Sequence, residues 1–243
     1  MRAVLCGASG AMGTLIAGIL GQEVVGKVSI DGLNGVPRTF RELGKVNADV
    51  VIDFSHHSAV PDVLAYAESI GAAAVIGTTG HTEEEKAMIR AAGERLPVFW
   101  SGNMSLGIAV LCRLAKEAAA CFPDADIEIV ETHHDRKVDA PSGTAHMLFR
   151  AIQEVRPNAR EHCGRAGEGR RTKDEIGVSS LRMGGIVGIH EVHICTGNQM
   201  LTLRHEAMDR SMLAEGAVTA ARFIVGKESG LYDMEDLLKG NGL

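Results

Sequence analysis

Ala3-Val4-Leu5-Cys6-Gly7-Ala8-Ser9-Gly10-Ala11-Met12-Gly13 is the stretch on which the fold turns. Four apolar residues make a short buried-strand pattern, glycines punctuate the next seven positions, and Leu15, Ile16, Ile19 and Leu20 then recur at helical spacing as far as Gly21. The order is strand, glycine turn, helix. Glycines there permit a tight turn, close approach of the backbone to a ligand and close packing of helix on strand, while the N–H groups at the helix start can hold a pyrophosphate. Gly7, Ala8, Ser9, Gly10, Ala11, Met12 and Gly13 are therefore expected to bind a dinucleotide, against the plainer reading of a tight turn with no ligand.

After this helix a second strand over Val24–Ile30 leads to Asp31, about 18 residues past the last glycine, where an acid can accept the ribose hydroxyls. Lys27, Ser29, Arg38 and Arg41 lie nearby. An acid disfavours a 2′-phosphate and cations favour it, so NADH and NADPH both remain open. A third strand, Asp49–Phe54, is followed by Ser55-His56-His57-Ser58, which opens a helix reaching about Ile70. The adjacent histidines point in different directions and have no obvious third and fourth ligand, so no metal is expected. A fourth strand, Ala73–Ile76, ends in Gly77-Thr78-Thr79-Gly80. Thr82 and Glu85 have the spacing of a capping box, and a fifth strand, Val98–Trp100, ends in Ser101-Gly102-Asn103-Met104-Ser105.

Strands alternating with helices predict an α/β fold with a mostly parallel, doubly wound sheet, in which ligands sit at the carboxyl ends of the strands. Gly77, Thr78, Thr79, Ser101, Asn103 and Met104 fall at such ends and join the candidate cofactor set. These loops offer amides and hydroxyls but no nucleophile.

The second half changes character. A helix of about 104–122 is followed by the alternating run Ile127-Glu128-Ile129-Val130 and then by the most charged loop of the chain, Glu131-Thr132-His133-His134-Asp135-Arg136-Lys137-Val138-Asp139-Ala140-Pro141-Ser142-Gly143-Thr144-Ala145. Ser142 precedes a helical pattern of about 142–155 and is a candidate N-cap, so the amides of Gly143, Thr144 and Ala145 would cradle a carboxylate or phosphate. His133, His134, Arg136 and Lys137 set positive or titratable groups beside it. The polar segment 156–173 is expected to be mobile, either a solvated loop or a lid. Strands over Ile176–Arg182, Ile186–Cys195 and Met200–His205 then predict an antiparallel or mixed sheet in a second, α+β domain, with Gly197-Asn198 as a turn. Ser211–Val225 reads as a helix, and Asp233–Leu238 begins a last one that packs back on the first domain.

Composition narrows the function classes. The 243 residues are 45% hydrophobic and 23% charged, ordinary for a soluble protein with a sizeable core. With 25 Lys+Arg against 31 Asp+Glu the net charge is −6, and no basic run is interleaved with aromatics, which argues against a nucleic-acid partner. Five cysteines, odd in number and without CxxC spacing, read as reduced core thiols. No apolar stretch reaches about 18 residues, so no membrane role is expected, and Met1-Arg2 running straight into a strand suggests a cytoplasmic protein.

Taken together, Glu131-x-His133-His134-x-x-Lys137-x-Asp139-x-Pro141-Ser142-Gly143-Thr144-Ala145, Gly7-x-x-Gly10-x-Met12-Gly13, Asp53-Phe54-Ser55, Gly77-Thr78-Thr79-Gly80 and Ile186-Val187-Gly188-x-His190-Glu191 resemble the 4-hydroxy-tetrahydrodipicolinate reductase (dihydrodipicolinate reductase) family of bacterial lysine biosynthesis, over nearly the whole chain. The resemblance implies NADH- or NADPH-dependent reduction of a small dicarboxylate, 4-hydroxy-2,3,4,5-tetrahydrodipicolinate, with loss of water. It further implies His133 as general acid, Lys137 as its partner, and His134, Ser142, Gly143 and Thr144 as holders of the substrate carboxylates. The implied fold is a Rossmann domain over residues 1–104, completed by 211–243. A domain over 105–210 would bind substrate and assemble a homotetramer through its open sheet. Ser101-Gly102 replaces the usual Ala-Pro, Met183 interrupts an Arg-Gly-Gly element, and Ile189 stands where Glu commonly precedes His190. The competing readings are a regulatory dinucleotide binder without turnover and a Rossmann dehydrogenase acting on an amino acid or semialdehyde.

Overall fold

The computed structural model describes residues 1–240 and divides into two compact units, residues 1–105 with 211 onward, and residues 106–210. The first is built from β1 (Ala3–Cys6), α1 (Ala11–Leu20), β2 (Val24–Val28), the one-turn α2 (Phe40–Leu43), β3 (Val50–Asp53), α3 (Val60–Ile70), β4 (Ala73–Ile76), α4 (Glu83–Ala92) and β5 (Pro97–Trp100). The second contains α5 (Leu106–Cys121), β6 (Asp126–His133), α6 (Gly143–Gln153), β7 (Arg160–Cys163), β8 (Glu175–Arg182), β9 (Gly188–Cys195) and β10 (Met200–Ala207). The chain then returns to the first unit as α7 (Ser211–Ile224), β11 (Gly230–Tyr232) and α8 (Met234–Gly240).

In the first unit β1, β3 and β4 are buried along their whole length, as an apolar strand must be when helices cover both faces of its sheet. The sheet order is β11-β5-β4-β3-β1-β2 and every pairing is parallel. The chain leaves β1 toward β2 and later returns to β3 on the other side, so the strand order reverses at β1 and β3. Ligands of such sheets bind outside the carboxyl ends at that reversal. α4 starts with the capping box: the Thr82 hydroxyl accepts from the Glu85 amide, and the Glu85 carboxylate accepts from the Thr82 amide. α7 presents Ala214, Gly216, Ala217, Ala220 and Ala221 on its buried side. At Gly216 a side chain would run into the backbone carbonyl of Met104, which is why small residues line this helix.

In the second unit the sheet is mixed, in the order β10-β9-β6-β8-β7, with β6, β8 and β7 mutually parallel and β9 and β10 antiparallel. Alternation along β6 puts Ile127, Ile129, Glu131 and His133 on the buried face. The two isoleucines pack with Ile108, Leu111 and Ala115 of α5 and with Leu148 and Ile152 of α6. Glu131 and His133 continue that same face beyond the apolar core.

Several expectations change. The segment 156–173 contains a strand, β7, paired in parallel with β8, and is tied down by arginines: Arg156 donates to the carbonyls of Phe122 and Ala125, and Arg171 to Asp126, Glu128 and the Ile127 carbonyl. Its Arg-Glu-His-Cys composition lacks apolar alternation because it lies at a sheet edge. β2 stops at Val28, since Ser29 donates to the Pro37 carbonyl and Ile30 is 90% exposed. β9 begins at Gly188, because the Ile186 carbonyl accepts from the His134 amide instead. Of the cysteines only Cys6 is fully buried, and Cys121 and Cys163 are exposed, so they are free thiols but not all core ones. No helix among the described residues is long and apolar enough to cross a membrane, and none of their His, Cys, Asp and Glu side chains form a group of three suited to a metal.

Candidate active site

The glycine turn is tight for steric reasons that can be read atom by atom. Gly7 has φ +78° and faces the Phe54 carbonyl; a Cβ there would come within 2.7 Å of the carbonyl carbon. At Gly13 a Cβ would strike the Gly7 carbonyl oxygen and lie 2.7 Å from Ala8 Cα. These two positions lock the turn between α1 and the end of β3. The amides of Gly7 and Ala8 are taken up by the Val28 carbonyl at 2.9 and 3.2 Å. No side chain caps α1 at Gly10, so the first-turn amides at Ala11, Met12 and Gly13 have no acceptor within the helix. An uncapped helix start behind a glycine turn fits a pyrophosphate.

Around this turn the other candidate residues divide by role. The Asp31 carboxylate accepts from the Ser9 hydroxyl at 2.5 Å and from the Leu33 amide at 3.1 Å, and Ser9 also meets the Ser29 hydroxyl. The Ser9 bond, followed by that from Leu33, keeps Asp31 below the usual carboxylate range. Thr78 is turned inward: its hydroxyl donates to Asp53 at 2.7 Å and accepts from the Ser55 amide at 3.0 Å. Asp53, with no exposed surface, also accepts from the Ser55 hydroxyl at 2.5 Å. Burial raises its pKa against those bonds, and burial with the neighbouring Asp53 pushes the Cys6 thiol up to about 12. Gly77 leaves room for the Phe54 ring, and Thr79 is exposed. The Ser101 hydroxyl donates to the Asn103 carbonyl at 2.7 Å, and the Asn103 side chain accepts from the Ser105 amide at 2.8 Å. The Met104 side chain is buried.

In the second unit the histidine loop is organised by a residue outside the candidate set. Glu131 is fully buried and accepts from His133 Nδ1 at 2.5 Å, from both terminal nitrogens of Arg182 at 2.8 and 2.7 Å, and from the Ser142 amide at 3.1 Å. Burial alone would raise its pKa. The bonds from His133, Arg182 and Ser180 outweigh that and hold its carboxyl far below the usual range. Lys137 Nζ donates to both carboxylate oxygens of Asp139, at 2.8 and 2.9 Å. Ser142 caps α6 as expected, accepting from the Ala145 amide at 3.2 Å. With that acceptor position filled, its hydroxyl proton can point to His190 Nε2, 3.2 Å away. His190 packs edge-on against His133 with ring centroids 5.1 Å apart, and its burial, then the nearby His133, pushes its pKa down to about 4. His134 lies near the Arg210 guanidinium at 3.4 Å, and burial followed by Arg136 and Arg210 lowers its pKa.

His133, His134, Lys137, Ser142, Gly143 and Thr144 thus share one strand-end loop and the start of one helix. Glu131, Arg182 and His190 are missing from the candidate set, although Glu131 and His190 lie inside the motifs. The available signal was alternation: Glu131 stands two residues before His133, on the same side of a strand. A Gly-rich turn beside an uncapped helix start, at the reversal of a parallel sheet, defines a dinucleotide-dependent oxidoreductase fold, and the second unit adds a histidine, a lysine and a capped helix start suited to an anionic substrate.

Comparison with known proteins gives the family. Residues 1–104 match the family model for the dihydrodipicolinate reductase N-terminus and residues 107–238 that for its C-terminus, and the chain belongs to this family. It is 42% identical to the 4-hydroxy-tetrahydrodipicolinate reductase of Caldanaerobacter subterraneus subsp. tengcongensis, covering 98% of each chain. It is 41% identical to that of Methanospirillum hungatei, also over 98% of each. Among solved structures it is similar to a dipicolinate-bound dihydrodipicolinate reductase from Paenisporosarcina sp. TG-14, with TM-score 0.80 and 26% identity over 97% of this chain and 98% of that one. An amine dehydrogenase from Mycobacterium smegmatis, 14% identical with TM-score 0.64 over 97% of this chain and 95% of that one, shares the fold alone.

Proposed function

We propose that this chain reduces 4-hydroxy-2,3,4,5-tetrahydrodipicolinate to 2,3,4,5-tetrahydrodipicolinate with release of water, the reductase step of the diaminopimelate and lysine pathway. The observation that carries the reading is the single loop that sets His133, Lys137 and the capped start of α6 together. The relatives' shared name points the same way. The residues at 7–13, Asp31, Gly77, Thr78, Thr79, Ser101, Asn103 and Met104 would hold the coenzyme, which supplies the hydride when bound.

His133 delivers the proton that the ring needs after reduction, a task suited to a histidine because its two protonation states interconvert near neutral pH. Lys137 offers a fixed ammonium to the developing negative charge and to a carboxylate. His134, Ser142, Gly143 and Thr144 hold the carboxylates, with the α6 amides as donors. Asp31, ionised and aimed at the hydroxyl cluster of Ser9 and Ser29, supports NADH as the preferred coenzyme, because a 2′-phosphate there would meet a carboxylate. The outer face of the mixed sheet carries Val130, Thr132, Leu181 and Ile189 only partly covered, which supports assembly into a homotetramer through that face. Five unpaired cysteines fit a reducing cytoplasm.

The test is a coupled assay in which pyruvate and aspartate semialdehyde are condensed freshly in the cuvette. Oxidation of NADH or NADPH that depends on both condensation partners is expected. No turnover with either coenzyme would overturn the assignment, and light scattering showing a monomer would overturn the tetramer.

A further inference from the structure

Both carboxylate oxygens of Glu131 accept from the chain itself. One carboxylate oxygen receives the Ser142 amide at 3.1 Å and an Arg182 nitrogen at 2.7 Å; the other receives His133 Nδ1 at 2.5 Å and the second Arg182 nitrogen at 2.8 Å. The same Arg182 donates to the Asp139 carbonyl at 2.7 Å, and the Asp139 side chain grips Lys137. One buried carboxylate is thus joined directly to the histidine and to the helix start, and through one arginine to the lysine loop.

We infer that Glu131 is the positioning residue of this site: it fixes the proton of His133 on Nδ1, leaves Nε2 as the working nitrogen, and holds the Ser142 helix start and the Lys137 loop in register with it. This inference rests on His133 as the proton donor. An ionised carboxylate is an acceptor only, so the shared proton belongs to Nδ1. Nε2 has no partner among the described residues and looks onto Gly188, where a Cβ would stand 3.0 Å from it; glycine leaves that edge of the ring uncovered. The edge-on neighbour His190 stays neutral, so no second cation crowds the imidazolium that forms when His133 is charged. Arg182 balances the charge of Glu131, which lets a full carboxylate persist under the sheet.

A carboxylate that served only to pair with Arg182 would stabilise the fold and leave the state of the histidine ring indifferent. Nitrogen-15 NMR of the labelled wild-type protein separates the two roles without any substitution. Neutral His133 should carry its proton on Nδ1, and an Nε2–H tautomer overturns the inference. In the coupled assay, Glu131→Gln should lower kcat about 100-fold, with coenzyme affinity unchanged and the His133 tautomer redistributed. A Glu131→Gln protein that keeps both kcat and tautomer overturns the inference while the proposed reaction stands. His133→Ala is run beside it: retained kcat there removes the proton-donor reading, and the inference with it.

Discussion

Lys137 Nζ and the Asp139 carboxylate form a two-pronged pair at 2.8 and 2.9 Å within a single loop. Asp139 is mostly exposed, and exposed ion pairs contribute only ~0–1 kcal/mol. In the proposed reaction a substrate carboxylate displaces Asp139, which otherwise holds the Lys137 ammonium. Lys137→Ala is expected to lower kcat/KM by about 100-fold or more, the scale of losing one preorganised charge. Coenzyme affinity by calorimetry should stay within about twofold, since the residues proposed to hold the coenzyme lie on other loops. A matching loss of coenzyme binding would contradict the placement of Lys137 on the substrate side.

Gly13 tests the other half. Its absent side chain makes room for the Gly7 carbonyl and Ala8, so Gly13→Val must push α1 away from the turn. NADH affinity measured by fluorescence titration should fall at least tenfold, because the α1 amides would leave the position set by the turn. Unchanged affinity in a folded variant would show that the turn does not hold the coenzyme.

Asp31 is the residue proposed to discriminate between the coenzymes. With its carboxylate ionised beside Ser9 and Ser29, kcat/KM should be higher for NADH than for NADPH. Asp31→Ala should narrow that ratio by removing the charge a 2′-phosphate would meet. Steady-state kinetics with both coenzymes reads the ratio directly, and an unaltered ratio excludes Asp31 as the discriminating residue.

Stability should fall on the acid side, first through histidines. The pKa of His190 is pushed from 6.5 to about 4 by burial and then by its neighbours. Between those pH values the unfolded chain binds a proton that the folded one refuses, so the stabilisation is complete above 6.5 and is lost as pH falls toward 4. His81 and His205, also lowered chiefly by burial, act in the same direction. Glu131 adds a second loss: its folded pKa is depressed, so its contribution is present above the ordinary value of 4.5 and disappears as pH drops below it. The thermal midpoint should decline from pH 6.5 to 4, and less steeply in His190→Gln. Parallel declines in the two proteins would exclude His190 as a source.

The features legible in residue spacing were local. Strand, turn and helix over residues 3–20, the Thr82–Glu85 capping box and the Ser142 cap all rest on interactions within about four residues, which spacing alone can display. The motif likewise marked the histidine loop as a candidate site. The residues that hold that loop emerge only from how distant strands align. β6 and β8 are parallel with His133 opposite Arg182, a register that brings Arg182 onto Glu131 across 51 positions. Such a pairing depends on how separate strands align, which no local period encodes. The three-residue β11 and the polar edge strand β7 were hidden for a related reason: they are too short or too exposed to carry an apolar alternation, and exist because a neighbouring strand offers them hydrogen bonds.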